Sequence, residues 1–221
     1  SWLYGSPTAS GYDSLASKLA VLAGAVVLAI DYPLVPVGNF SSILALSLGA
    51  LQWLDGHGPG GAPCHQPGLA PLLVAGDSSG GGSAAALMLQ VGAEPERWPP
   101  IAGAFFYSPW LNLVCDTPTY HHNAFNTRPV GAEKRTAYFG DILFRERPAE
   151  NSRIYRETAL AYVGNDSAML RDPIACPYCA GAEQLRGLPP MMIAVSGTEA
   201  ITGDSVIFSE KVALVGTEVF L

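Results

Sequence analysis

Apolar residues in this chain come in short unbroken runs, with stretches between them where they recur every three or four positions. Ala25-Val26-Val27-Leu28-Ala29-Ile30, Leu72-Leu73-Val74-Ala75, residues 101–107 and residues 191–196 lack polar alternation and are bounded by Gly, Pro or Ser. Runs of this kind predict strands buried on both sides. Helical spacing covers residues 10–23, where Tyr12, Leu15, Ala16, Leu19 and Leu22 share a face, Ser10 and Asp13 resemble a capping box, and Gly24 is a stop. A second helix is expected from Ser41, with Leu44, Leu48, Leu51 and Leu54 inward, and a third follows the run at 72–75. Asp204 to Val215 predicts a further helix ended by Gly216, and Thr217 to Leu221 begins one more strand. Strand–helix alternation with continuous apolar strands implies an α/β fold, a mostly parallel sheet with helices on both faces.

Two stretches interrupt this rhythm. Residues 56–71 are rich in Gly and Pro and carry His57 and His65. Residues 113–170 are more polar, hold aromatics without a clean period and carry most of the Arg. They predict a cap-like excursion over the C-terminal edge of the sheet, where loops shape a pocket, rather than a second domain. The 221 residues suit a single domain.

Composition narrows the function. The chain is 49% hydrophobic and 14% charged, which is globular rather than disordered. Its net charge of −7, without a basic patch, argues against nucleic acid as a partner. The apolar run from Leu19 to Ile30 is too short for a membrane span and is broken at Gly24. Ser1-Trp2-Leu3-Tyr4 is neither an initiator Met nor a signal peptide, which suggests an excerpt from something longer. Cys176-Pro-Tyr-Cys179 has C-x-x-C spacing and Cys64-His65 could be set beside it, but a structural zinc site normally needs a second well-spaced pair. A redox motif should open a helix after a strand, whereas Pro173 and Pro177 predict a loop. Free thiols in a reducing, cytosolic compartment are therefore expected, with no metal and no cofactor.

Chemistry concentrates where the run at 72–75 ends. Gly76-Asp77-Ser78-Ser79-Gly80-Gly81 has the form G-x-S-x-G, preceded by a predicted strand and followed by a small-residue helix. In that context Ser78 sits on a strained turn, with Gly76 and Gly80 flanking it because side chains there would clash with strand and helix. The N–H of Ser79 faces the same spot at a helix N-terminus, as half of an oxyanion hole. The phosphate-binding alternative lacks G-x-x-x-x-G-K-[ST] and any nearby Lys.

These residues carry a family resemblance. Gly76 to Gly81 resembles the nucleophile motif of the hormone-sensitive-lipase-like branch of the α/β-hydrolases (the fold-3 carboxylesterases). Asp31-Tyr32-Pro33-Leu34-Val35-Pro36 is similar to that family's D-Y-R-L-A-P segment, and Ser108-Pro109-Trp110-Leu111-Asn112-Leu113 to its S-P-W-x-D-L segment. Asp172-Pro173 and Leu185 to Pro190 fall where the family has D-P and a G-L-P-P approach to a strand. The matches run in family order across nearly the whole chain. The departures are Pro33 and Val37 for Arg and Glu, and Asn112 for Asp.

The resemblance implies a serine ester hydrolase with an acyl-enzyme intermediate and a small acyl ester as substrate. It puts the catalytic acid on Glu199 in Gly197-Thr198-Glu199, with Asp204 as competitor, although an Asp at a helix start is more often a cap. The family's H-G-G-G segment would precede Trp2, and its histidine would follow Leu221. His57 and His65 precede Ser78, while His121 and His122 lie between Ser78 and Glu199, so none fits the order Ser, acid, His. The chain by itself is therefore expected to have little or no esterase activity. A non-catalytic ligand-binding or receptor-like relative, and an amide or carbamate hydrolase, stand as alternatives.

Overall fold

The computed structural model describes residues 2–8, 11–57, 71–130, 135–146 and 150–221. In chain order its elements are α1 (Tyr12–Ala23), α2 (Phe40–Gly56), β1 (Leu73–Asp77), α3 (Ser79–Ala93), β2 (Gly103–Tyr107) and α4 (Thr119–His122). There follow β3 (Thr127–Val130), β4 (Arg135–Tyr138), α5 (Asn151–Tyr162), α6 (Ala182–Leu185), β5 (Met191–Ala194), α7 (Thr202–Leu214) and β6 (Val219–Phe220). Single 3₁₀ turns join several of them.

Four strands form a parallel sheet in the order β1-β2-β5-β6. Side chains alternate between the faces of a strand, so register decides which residues meet. Val74, Ala104, Met191 and Val219 are in register, as are Gly76, Phe106 and Ile193. That face packs with Leu87, Met88 and Val91 of α3, Phe208 and Val212 of α7, and Leu51 of α2 into the main core. The expected α/β fold with a parallel sheet is what the chain adopts. Its described helical cover lies on this one face, while Leu73, Phe105, Tyr107, Met192 and Phe220 on the other are exposed.

The first third of the chain departs most from expectation. The run 25–30, expected as a strand buried on both sides, forms no strand, and Val26 is 80% exposed. Among the described residues no strand pairs with β1 on the side away from β2, so the run has no neighbour to hydrogen-bond. Apolar composition makes a segment fit for burial without supplying what buries it. The helix before it forms and stops at Gly24, whose left-handed φ of 59° only glycine adopts freely, yet none of its residues is buried. Its N-cap is Gly11 with no side-chain cap, and Ser10 of the expected capping box lies outside the described residues. For α2 the cap is Asn39 rather than Ser41. Asn39 Oδ1 accepts from the Ser42 N–H at 3.1 Å, and Ser42 Oγ accepts from the Asn39 N–H at 2.9 Å. This reciprocal pairing outcompetes a single serine further along.

Residues 113–170 contribute a second core. α4, the antiparallel β3–β4 pair and α5 lie in this stretch. Tyr120, Ala159, Tyr162 and Val163 pack there with Trp2, Trp110, Phe40 and Ile201. Trp2 stacks on Tyr162 with ring centroids 3.5 Å apart, and the Trp2 indole N–H donates to Ser83 Oγ of α3.

Candidate active site

The turn between β1 and α3 is where backbone geometry is forced. Ser78 is the N-cap of α3 with φ 53° and ψ −123°, a positive-φ conformation for a residue that carries a Cβ. Such a conformation costs on the order of 1–3 kcal/mol and persists only where the surroundings overdetermine it. Here they do. The Ser78 N–H donates to the Tyr107 carbonyl at 2.9 Å, and the Ser78 carbonyl accepts from the Trp110 N–H at 2.8 Å. Both partners belong to the turn that ends β2, so two adjacent strand ends brace each other.

Glycine is required around Ser78, though not everywhere it was expected. A Cβ on Gly76 would run into the Gly80 carbonyl, as the elbow reading demands. A Cβ on Gly80 would come no nearer than 3.9 Å to Asp77 Oδ1, so no clash explains that glycine. The close approaches fall one and two residues further on. A Cβ on Gly81 would meet Pro109, and one on Gly82 would meet the Trp110 carbonyl. The start of α3 is thus pressed by the end of β1 at Gly76 and by the segment after β2 at Pro109 and Trp110.

Ser79 is the first residue of α3 and is buried. Its amide is among those at a helix start that have no carbonyl four residues back. Glu199 lies in the loop between β5 and α7. Its carboxylate oxygen Oε1 accepts a hydrogen bond from Ser108 Oγ at 2.9 Å, and the side chain is half-buried. The loop is pinned through the Glu199 carbonyl, which accepts from Asn123 Nδ2 and Thr202 Oγ1, both at 2.7 Å. Ser78, Ser108 and Glu199 thus follow the C-terminal ends of β1, β2 and β5, three neighbours in the sheet. Ser108 is itself at φ 43°, and its place in the S-P-W segment names no partner for it. Its link to Glu199 joins residues 91 positions apart and depends on strand order.

Asp204, the competing acid, is occupied elsewhere. It is fully buried in the first turn of α7, and Oδ2 accepts from Tyr120 Oη at 2.7 Å and from the Asn112 N–H at 3.2 Å. Oδ1 accepts from Thr117 Oγ1 at 3.3 Å. Burial raises its pKa to about 8, against the hydrogen bonds of Tyr120 and Asn112 that favour the anion. It does not cap the helix: the N-cap is Ile201, and Asp204 instead ties α7 to the segment after β2.

Among the described residues no histidine hydrogen-bonds Ser78 or Glu199. His57 ends α2, where Nδ1 lies 2.8 Å from the Trp53 carbonyl and the ring stacks on Trp53. His121 and His122 are exposed on α4, with His121 against Phe125. His65 and Cys64 lie outside the described residues. No group of three or more His, Cys, Asp or Glu side chains able to hold a metal is present among the described residues. No described helix is long and apolar enough to cross a membrane.

Comparison with known proteins bears on the family and the fold. A family model described as "alpha/beta hydrolase fold" matches residues 1–221. The chain is 27% identical over 215 residues to Esterase LipI of Mycobacterium tuberculosis, covering 94% of this chain and 56% of that protein. It is 29% identical over 219 residues to an acetyl-hydrolase of Streptomyces hygroscopicus, covering 99% of this chain and 61% of that one. A crystal structure of a hormone-sensitive lipase from a metagenome library superposes with TM-score 0.72 at 26% identity, covering 99% of this chain and 62% of that one. For carboxyl esterase 2 of Tuber melanosporum the TM-score is 0.75 at 21% identity, covering 99% and 63%, a likeness of fold. The chain spans roughly three-fifths of the length of these relatives.

Proposed function

The chain belongs to the α/β hydrolase fold family, and from that premise we propose that it carries the nucleophile and acid of a serine carboxylester hydrolase, with a histidine from outside these residues as general base. The observation that carries this reading is the Ser78 backbone, held at positive φ by two hydrogen bonds from the neighbouring strand end. Strain of that kind has no packing advantage over a relaxed turn; it projects the hydroxyl from the end of the sheet. Ser78 Oγ attacks the ester carbonyl to form an acyl-enzyme, and water clears it. The Ser79 N–H, at the positive end of α3, stabilises the oxyanion.

Glu199 orients the histidine and balances its charge when it takes the serine proton. Its half-buried carboxylate and fixed loop suit that task, and the hydrogen bond from Ser108 holds the side chain in place. Asp204 is unsuited to it, because both its oxygens already accept hydrogen bonds in a closed network. Residues 113–170 are the cap-like part of the same domain, and they set which acyl group fits.

The test is hydrolysis of p-nitrophenyl acetate by the 221-residue chain and by a longer chain that includes a histidine after residue 221. The shorter chain is expected to match its Ser78→Ala variant. The longer one is expected to turn over, losing about 10⁶-fold in kcat with Ser78→Ala and about 10⁴-fold with Glu199→Gln. Full activity in Ser78→Ala would sink the proposal. The histidine placement also favours a second reading, a ligand-binding relative that has lost catalysis; a longer chain that binds esters without turning them over would support it.

A further inference from the structure

Ser78 chemistry makes no use of the one motif that brings two reactive side chains together elsewhere, Cys176-Pro177-Tyr178-Cys179. Cys176 is the N-cap of a 3₁₀ turn over Pro177–Cys179, so the loop expected from the prolines is a tight, ordered turn. The turn is closed by the Cys179 N–H donating to the Cys176 carbonyl at 2.8 Å, which brings the two sulfurs within 3.3 Å. Both thiols are free. They differ in setting: Cys176 is fully buried, whereas Cys179 is partly open to solvent.

We propose that Cys176 and Cys179 form a reversible dithiol–disulfide site, in which a hydroperoxide oxidises Cys179 and Cys176 resolves it. The settings assign these roles. The hydrogen bond from Cys176 lowers the Cys179 pKa to about 7, and the positive charges of Arg171 and Lys211 add to this against burial and the charge of Asp116. Thiolate character with access to solvent is what selects a cysteine for peroxide attack. The shared hydrogen bond, and after it burial, push Cys176 the other way, so it stays a protonated thiol beneath its partner. A zinc site is the weaker use of the pair. Two thiolates are half of a structural ligand set, and among the described residues no third His, Cys, Asp or Glu joins them in a group able to hold a metal.

The chemistry balances without any other reactant. The Cys179 thiolate attacks the distal peroxide oxygen; an S–O bond forms, the O–O bond breaks, and hydroxide or alkoxide leaves and takes a proton. Cys176 sulfur then attacks Cys179 sulfur; an S–S bond forms, the S–O bond breaks, and the hydroxyl leaves as water with the Cys176 proton. Two electrons pass from the thiols to the peroxide. The fold permits closure. Cys176 Sγ accepts from the Leu113 N–H at 3.3 Å, a contact that survives loss of the thiol proton. Closure replaces the shared S–H···S contact with the S–S bond, and the Leu111 carbonyl, 3.6 Å from Cys176 Sγ, keeps the Tyr178 N–H at 3.0 Å. The site is thereby joined to the segment that follows Trp110, whose N–H holds the Ser78 carbonyl.

The experiment exposes the whole chain to stoichiometric hydrogen peroxide, blocks the remaining thiols, and maps every cysteine by mass spectrometry, with circular dichroism to confirm the fold. A Cys176–Cys179 disulfide that dithiothreitol reverses is expected. It should form about tenfold or more faster than Cys115 reacts, since Cys115 is buried and its pKa is pushed up to about 12. Cys176→Ser should leave a Cys179 sulfenic acid that dimedone traps, and Cys179→Ser should leave Cys176 reduced. A disulfide to Cys64, a Cys179 sulfinic acid beside a reduced Cys176 in the unaltered chain, or equal rates at Cys115 and Cys179 would each overturn the proposal. None of these readouts depends on esterase activity.

Discussion

Phe105 and Phe106 are consecutive residues of β2 with identical side chains, and they occupy the two faces of one sheet. Phe106 is wholly buried with Ile193, Met191 and the helices α3 and α7. Phe105 is in register with Ala75 and Met192, and Met192 with Phe220, in a row across all four strands. That row is open: Met192 is 52% and Phe220 59% exposed. Both faces are apolar because parallel strands are built for cover on both sides. An apolar strand face records a capacity for burial, while the cover itself comes from other elements. Residues 25–30 repeat the lesson, equally apolar and, among the described residues, without a strand to pair with.

The sharpest way to break the comparison is to delete each ring in turn. Phe106→Ala is expected to cost about 3–5 kcal/mol, since a buried ring leaves a cavity that close packing does not fill. Phe105→Ala should cost under about 1 kcal/mol, because its ring is already partly in water. Urea unfolding of both variants measures the gap. Equal costs would mean that the open face is covered in solution, and the contrast would fall.

The next test bears on what holds the covered face together. α7 lies on it, and Asp204 in its first turn joins that helix to Asn112, Thr117 and Tyr120. Burial raises the Asp204 pKa to about 8, above the unfolded value of about 3.9. Between these values the folded chain keeps a proton that the unfolded chain has released. Stability from this group is therefore present at low pH and is lost as pH rises from about 4 through 8, by at most about 1.4 kcal/mol per unit. Asp204→Asn, which cannot ionise, is expected to lose less stability than the unaltered chain between pH 5 and pH 8. Parallel pH dependence in the two proteins would show that Asp204 keeps its charge when buried.

These sites also mark how far the sequence could be read. The elbow was legible because its demands are local: Gly76, Ser78 and the following small residues satisfy one turn's sterics. Glu199 stands out in the sequence only as a candidate, through its place in a resembling motif, since nothing in its immediate neighbours names a partner. The sequence names no partner for Ser108, because its bond to Glu199 exists only once β2 lies beside β5. The place of Asp204 at a helix start points to an acid competing with Glu199 or to a cap, while all three of its partners lie more than 80 residues earlier. Local backbone chemistry survives the reading of a sequence; contacts that depend on strand order do not.

The smallest effect is the most direct probe of the open face. Met192→Lys places a charge in the middle of the exposed row, where the long stem can lie over Phe105 and Phe220 with the ammonium in water. Stability should change by no more than about 0.5 kcal/mol, the usual range for a surface position. The contiguous apolar strip should bind less of a hydrophobic dye, and self-association in sedimentation velocity should fall, because such strips are what drive sticking between molecules. A loss of more than about 2 kcal/mol would instead carry the signature of an unpaired charge forced into an apolar contact. In that event Met192 is covered in solution, and the sheet has two buried faces rather than one.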